Sequence, residues 1–209
     1  MCRTFFYVNQ INNCGRNMQY FLKNIAKKLV FGSILIYNYK VIRVKEEIYM
    51  VTLDKIYHAS YVLKDVVIPT PLVKATAISD DCEVYLKPEN LQITGSFKVR
   101  GSGYKISQLT EEEKKRGVIA CSAGNHAQGV ALAATKYGIK SLICLPDGAP
   151  ISKVEATKGY GAEVCMVPGV YDDAYNKACE LRDEHNYTFI HPFDDENVIA
   201  GQGTIGIEI

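Results

Sequence analysis

Two short stretches of this 209-residue sequence carry residue types whose spacing could do chemistry. In Thr94-Gly95-Ser96-Phe97-Lys98-Val99-Arg100-Gly101, Lys98 falls in the first turn of a helix that follows a strand. The dipole at a helix start disfavours a cation. An amine in that field, near other cations, is expected to have a lowered pKa and to supply the neutral nucleophile that a Schiff base requires. A solvated surface lysine is the competing reading. In Cys121-Ser122-Ala123-Gly124-Asn125-His126-Ala127-Gln128-Gly129, small residues and a polar cap join a buried strand to a helix. Backbone N–H groups exposed at such a turn form an anion site suited to a carboxylate. An ordinary Asn cap without a ligand is the alternative. His126 reads as a base or, in competition, as a capping or packing residue. A third stretch, Gly201-Gln202-Gly203-Thr204-Ile205-Gly206, matches GxGxxG. Dinucleotide binding needs a strand before that motif, and Glu196–Ala200 read as helix, which argues against it.

The elements that must position these residues alternate in type. Strands are expected at Glu83–Lys87, Gly117–Cys121, Ser141–Leu145, Glu163–Val167 and Thr188–His191. Helices are expected at Ser96–Leu109, Asn125–Tyr137, Ser152–Gly159, Asp172–Asn186 and from Asn197 onward. In the second of these, Ala127, Val130, Ala131 and Ala134 share one face, and Gly138 follows as a stop. A βαβα order with continuous apolar runs such as VIAC and LICL predicts a parallel sheet covered by helices. Ligands of such sheets sit at the C-terminal ends of strands, against helix N-termini, and this directs attention to the loops after Leu86 and Cys121.

Composition sets the outer bounds. A hydrophobic fraction of 47% with 22% charged residues is that of a globular protein. The net charge of +1 gives no general reason for a nucleic-acid partner. Charge is uneven: residues 1–49 hold eight Lys and Arg against Glu46 and Glu47, and the remainder is acidic on balance. Seven cysteines without a CxxC pair give no metal-ligand spacing, and no metal is expected. Their usage suits a reducing cytoplasm, with Cys121, Cys144 and Cys165 as small buried hydrophobes. The longest apolar stretch, Leu29–Tyr37, is far short of the roughly 20 residues a spanning helix needs, so no membrane partner is expected. Residues 17–31 could form a basic amphipathic helix, but 1–49 read chiefly as an extension outside the fold.

TGSFKVRG followed by SAGNHAQG closely resembles the threonine dehydratase (threonine ammonia-lyase) family of pyridoxal-phosphate (PLP) enzymes. The similarity runs from about Ile68-Pro69-Thr70-Pro71-Leu72 to Ile209 and includes Pro146-Asp147-Gly148-Ala149-Pro150-Ile151-Ser152-Lys153 and the GQGTIG stretch. The resemblance implies a two-domain α/β enzyme of the tryptophan-synthase-β-like fold with parallel sheets, C-terminally truncated. Residues 89–189 would be the small domain, and 50–88 with 190–209 part of the large one. It implies PLP as cofactor, linked to Lys98, with Phe97 lining its pocket and Asn125 on its 3′-oxygen. Ser122, Ala123, Gly124, Asn125 and His126 would hold the substrate carboxylate. Threonine would yield 2-oxobutanoate and ammonia, and serine would yield pyruvate, in a homo-oligomer when full length. Val99 departs from the Asp usual after the lysine in cysteine and threonine synthases. Ala123 stands where serine racemases carry Ser. The family's glycine-rich phosphate loop is expected beyond Ile209, so the chain alone is expected to bind little cofactor. The alternatives are a serine dehydratase or racemase, or a fragment that never holds PLP.

Overall fold

The computed structural model describes residues 3–8, 51–78 and 82–209. Their secondary structure begins with strand β1 (Arg3–Val8), helix α1 (Leu53–Val62) and strands β2 (Val73–Lys74) and β3 (Glu83–Pro88). Helices α2 (Lys98–Ser107) and α3 (Glu111–Arg116) follow. The chain then alternates through β4 (Val118–Cys121), α4 (Asn125–Lys136), β5 (Ser141–Pro146), α5 (Ile151–Gly159), β6 (Glu163–Val167), α6 (Tyr171–His185) and β7 (Thr188–Phe189). It closes with α7 (Glu196–Glu208).

The alternating part builds the expected parallel sheet, in the order β6-β5-β4-β7. Its faces are sorted by the two-residue period of a strand. Val118 and Ala120 join Ala127, Val130, Ala131 and Ala134 of α4 in one core. Ile119 and Cys121 join Ala174 and Ala178 of α6 in another. Each fully buried Val, Ile or Leu here contributes roughly 1.5–3 kcal/mol. Cys121, Cys144 and Cys165 lie opposite one another on three neighbouring strands. Cys121 and Cys144 are buried as expected, whereas Cys165 on the edge strand is half-buried. Burial raises the Cys121 thiol to about 11 and Cys144 to about 12, which marks both as packing groups with little thiolate.

A second, three-stranded sheet has the order β1-β3-β2, with β2 antiparallel and β1 parallel to β3. The reading of 1–49 as lying outside the fold therefore needs correction at six residues. Arg3–Val8 pairs along β3, from Arg3 opposite Glu83 to Val8 opposite Pro88. Its β-branched and aromatic composition suits a strand, and β3 offers it an open edge. The proposed helix at 17–31 lies outside the described residues. Helix α3, which is not among the expected helices, forms despite burying none of its residues. A capping box between Thr110 and Glu113, three acids in its first turn and three bases in its last suit the helix dipole.

A third core unites α1, α2 and α7 through Ala59, Leu63, Val66, Val99, Tyr104 and Ala200. Here GQGTIG finds its role. It lies inside α7, and a Cβ on Gly201 would sit 2.5 Å from the Arg100 carbonyl oxygen and 2.7 Å from Gly101 Cα. That glycine lets two helix backbones touch. No helix among the described residues is long and apolar enough to cross a membrane.

Candidate active site

Lys98 is the first residue of α2, and Phe97 is its N-cap. The side chain is half-buried, and Nζ donates to the Pro192 carbonyl at 2.7 Å, just beyond β7. The Phe97 ring lies 5.2 Å from the amine. The pKa of Lys98 is lowered, as the sequence suggested, and the cause is burial. Removing water from one side of the ammonium favours the neutral amine.

The second loop starts from the end of β4. Ser122 N–H donates to the Cys144 carbonyl at 3.2 Å, continuing the sheet ladder into the loop. Ser122 Oγ accepts from Gly124 N–H at 3.2 Å and tightens the turn. Ala123 packs on the core beneath α4. Gly124, rather than Asn125, is the N-cap of α4, and no side chain caps that end. This corrects the Asn-cap reading: Asn125 opens the helix, and its Oδ1 accepts from Lys153 Nζ at 2.9 Å, from the first turn of α5.

His126 is buried, with Nε2 2.9 Å from the Ile190 carbonyl. A carbonyl only accepts, so Nε2 carries the proton and Nδ1 is a bare acceptor, buried without a protein partner. Burial pushes the imidazole down to about 4. The Ile190 bond opposes that shift, and the Lys98 charge adds to it. His126 is therefore neutral near pH 7 and holds β7 to α4, in keeping with a packing histidine.

The helices carrying the two loops meet at Gly129. A Cβ there would lie 3.0 Å from the Lys98 carbonyl carbon and 2.9 Å from Ser102 Oγ. The glycine thus lets the first turn of α4 lie against the first turn of α2. Residues twenty-seven apart in sequence, Lys98 and Asn125, open two helices in close contact. Cofactor chemistry of the Schiff-base kind needs such a half-buried amine beside a polar helix start.

Sequence reasoning missed three partners of this site. Lys153 was quoted in a motif without a role. The Pro192 carbonyl carries no residue-type signal at all. The third is a buried ion network two residues beyond Lys98. Arg100, fully buried, donates from Nε and Nη2 to Glu89 at 2.8 and 2.7 Å. It also donates from Nη1 and Nη2 to Glu208 at 2.6 and 2.9 Å and to Thr204 Oγ1 at 3.1 Å. Thr70 Oγ donates to Glu89 at 2.6 Å, and Lys87 Nζ to Glu208 at 2.5 Å. Burial works against the Arg100 cation, but the bonds to Glu89 and Glu208 outweigh it and raise its pKa. This network ties α2 to the turn after β3 and to the end of α7.

Residues 63–209 match the family model described as pyridoxal-phosphate dependent enzyme. The chain belongs to that family. Among its relatives is an L-threonine ammonia-lyase of Thermotoga maritima, 51% identical over 162 residues, which span 77% of this chain and 40% of the relative. Among solved structures, the processed form of threonine deaminase isoform 2 from Solanum lycopersicum superimposes with a TM-score of 0.69 at 38% identity. That alignment covers 75% of this chain and 45% of the other. Maize serine racemase gives a TM-score of 0.74 at 34% identity, covering 77% of this chain and 49% of the other. The chain thus spans about half the length of these relatives or less. Within this PLP-dependent family the residues present fit the cofactor: Lys98 offers a half-buried amine with a lowered pKa, aimed past Phe97. Among the described residues no group of His, Cys, Asp or Glu is placed to hold a metal ion.

Proposed function

We propose that this chain carries the Schiff-base lysine of an ammonia-lyase that converts L-threonine to 2-oxobutanoate and ammonia, and L-serine to pyruvate. The observation that carries the reading is Lys98: a half-buried amine of lowered pKa at a helix start, whose backbone packs against Gly129 of α4, the helix that the Ser122–His126 stretch opens. Bound PLP supplies an electron sink at the substrate α-carbon. Lys98 would hold the cofactor covalently through its amine, and the same amine, when free, would serve as the general base for the α-proton. Phe97 would line the cofactor's pocket and Asn125 would hydrogen-bond its ring oxygen. Ser122, Ala123, Gly124, Asn125 and His126 hold the substrate carboxylate, chiefly through backbone N–H groups at the start of α4. Ala123 has no proton to exchange, which favours elimination over racemisation despite the likeness to maize serine racemase. The two sheets support a small domain at 89–189, with 50–88 and 190–209 belonging to a larger one. Free cysteines support a cytoplasmic enzyme, and the family resemblance a homo-oligomeric one.

In the full-length protein, borohydride reduction should fix one cofactor on the peptide containing Lys98. L-threonine should yield 2-oxobutanoate, and Lys98→Ala should abolish both signals. L-serine should give pyruvate well ahead of D-serine. Labelling at another lysine, or D-serine formed as fast as pyruvate, would contradict the reading.

A further inference from the structure

Asn125 has two chemically opposite ends, and the structure uses one of them. A lysine ammonium has three donors and no acceptor. The atom facing Lys153 Nζ at 2.9 Å must therefore be the amide oxygen, as it is. With Oδ1 turned to a cation, the amide nitrogen faces the other way, and it is the end of the amide that can donate to an anionic oxygen at the site. Lys153 is well placed to impose this. It lies in the first turn of α5, after the loop that leaves β5, while Asn125 opens α4 after the loop that leaves β4. Strands β4 and β5 are hydrogen-bonded neighbours, so their C-terminal ends deliver the two helix starts side by side. Lys153 is half-buried, and Val154 next to it sits in the core, which fixes the register of α5.

We infer that Lys153 is a positioning residue that locks the Asn125 amide with its N–H group turned toward an anionic oxygen, and that it thereby favours the ionised ring oxygen of the cofactor. The inference rests on the reading of the site as a PLP site. A charge-assisted bond is roughly twice as strong as a neutral one, so the cation both orients the amide and polarises its N–H group. A neutral side chain at 153 leaves the amide free to turn. A carboxylate there reverses it, because it accepts from the amide nitrogen and leaves Oδ1 facing another oxygen.

The test measures cofactor affinity and the pH dependence of cofactor absorbance in the full-length protein. Lys153→Met should loosen PLP by roughly 3- to 10-fold and Lys153→Glu by roughly 30-fold or more, with Lys153→Arg near the parent. The pH midpoint of the absorbance change should rise in Lys153→Met and more in Lys153→Glu. In an Asn125→Ala background both Lys153 changes should lose most of their effect, since the lysine acts through the amide. Equal affinity and pH profile in parent, Lys153→Met and Lys153→Glu would overturn the inference while leaving the PLP site intact. Effects that persist undiminished in Asn125→Ala would also overturn it, as they would mean a through-space charge alone. If borohydride fixes no cofactor on Lys98 in the parent, the site reading fails and takes the inference with it.

Discussion

Arg100→Met separates the buried ion network from simple packing. Methionine keeps much of the side-chain volume and removes the charge. Glu89, whose side chain is fully buried, then loses two hydrogen bonds at 2.7 and 2.8 Å and, among the described residues, keeps the Thr70 hydroxyl at 2.6 Å. Glu208 fares better, since it is about one-fifth exposed and retains Lys87. The damage is thus concentrated on one stranded carboxylate. Breaking a buried pair from one side costs roughly 3–5 kcal/mol. In a protein of this size each kcal/mol moves Tm by roughly 2–4 °C, so the variant should melt roughly 6–20 °C lower. Replacing the stranded charge as well, in Arg100→Met/Glu89→Gln, should recover at least half of the loss. Urea denaturation of parent, both single variants and the double variant at neutral pH measures the cycle. A loss below about 1 kcal/mol for Arg100→Met, or a double variant weaker than the single one, would refute the network as the anchor of α2.

Gly129→Ala should push α4 away from α2, because the added methyl would meet Lys98 and Val99 backbone at 3.0 Å. A loss of roughly 1–3 kcal/mol by urea denaturation is expected, together with weaker cofactor uptake, whereas Gly138→Ala should leave cofactor uptake unchanged. His126 is lowered from 6.5 to about 4 by burial, so the unfolded chain binds the proton first. Stability should therefore fall as pH drops from about 6.5 toward about 4. His191, also lowered by burial, adds to the same slope. The slope should be shallower in His126→Asn, and an identical slope in a urea-midpoint series would count against a neutral buried His126.

Residue types and spacing were enough to assign the parallel sheet, because VIAC and LICL suit strands buried on both faces and the alanines of α4 repeat at helical period. They were also enough to place Lys98 and the SAGNH loop at the starts of helices, since small polar runs between a buried strand and an amphipathic stretch have few other conformations. The sequence further excluded a phosphate role for GQGTIG through its helical context, though not the reason for its glycines, which is the contact of α7 with α2. Tertiary structure alone decided the rest. Strand β1 depends on an open edge of β3 some eighty residues away. The lowered pKa of Lys98 has burial as its cause, a property of the whole packing and not of its helix turn. Asn125 became one half of a pair with Lys153 only because β4 and β5 are neighbours. Arg100 joins Glu89 and Glu208, which lie 11 positions before and 108 after it. Charges so far apart in the chain have no local periodicity to betray them, and their pairing exists only once three separate elements have packed.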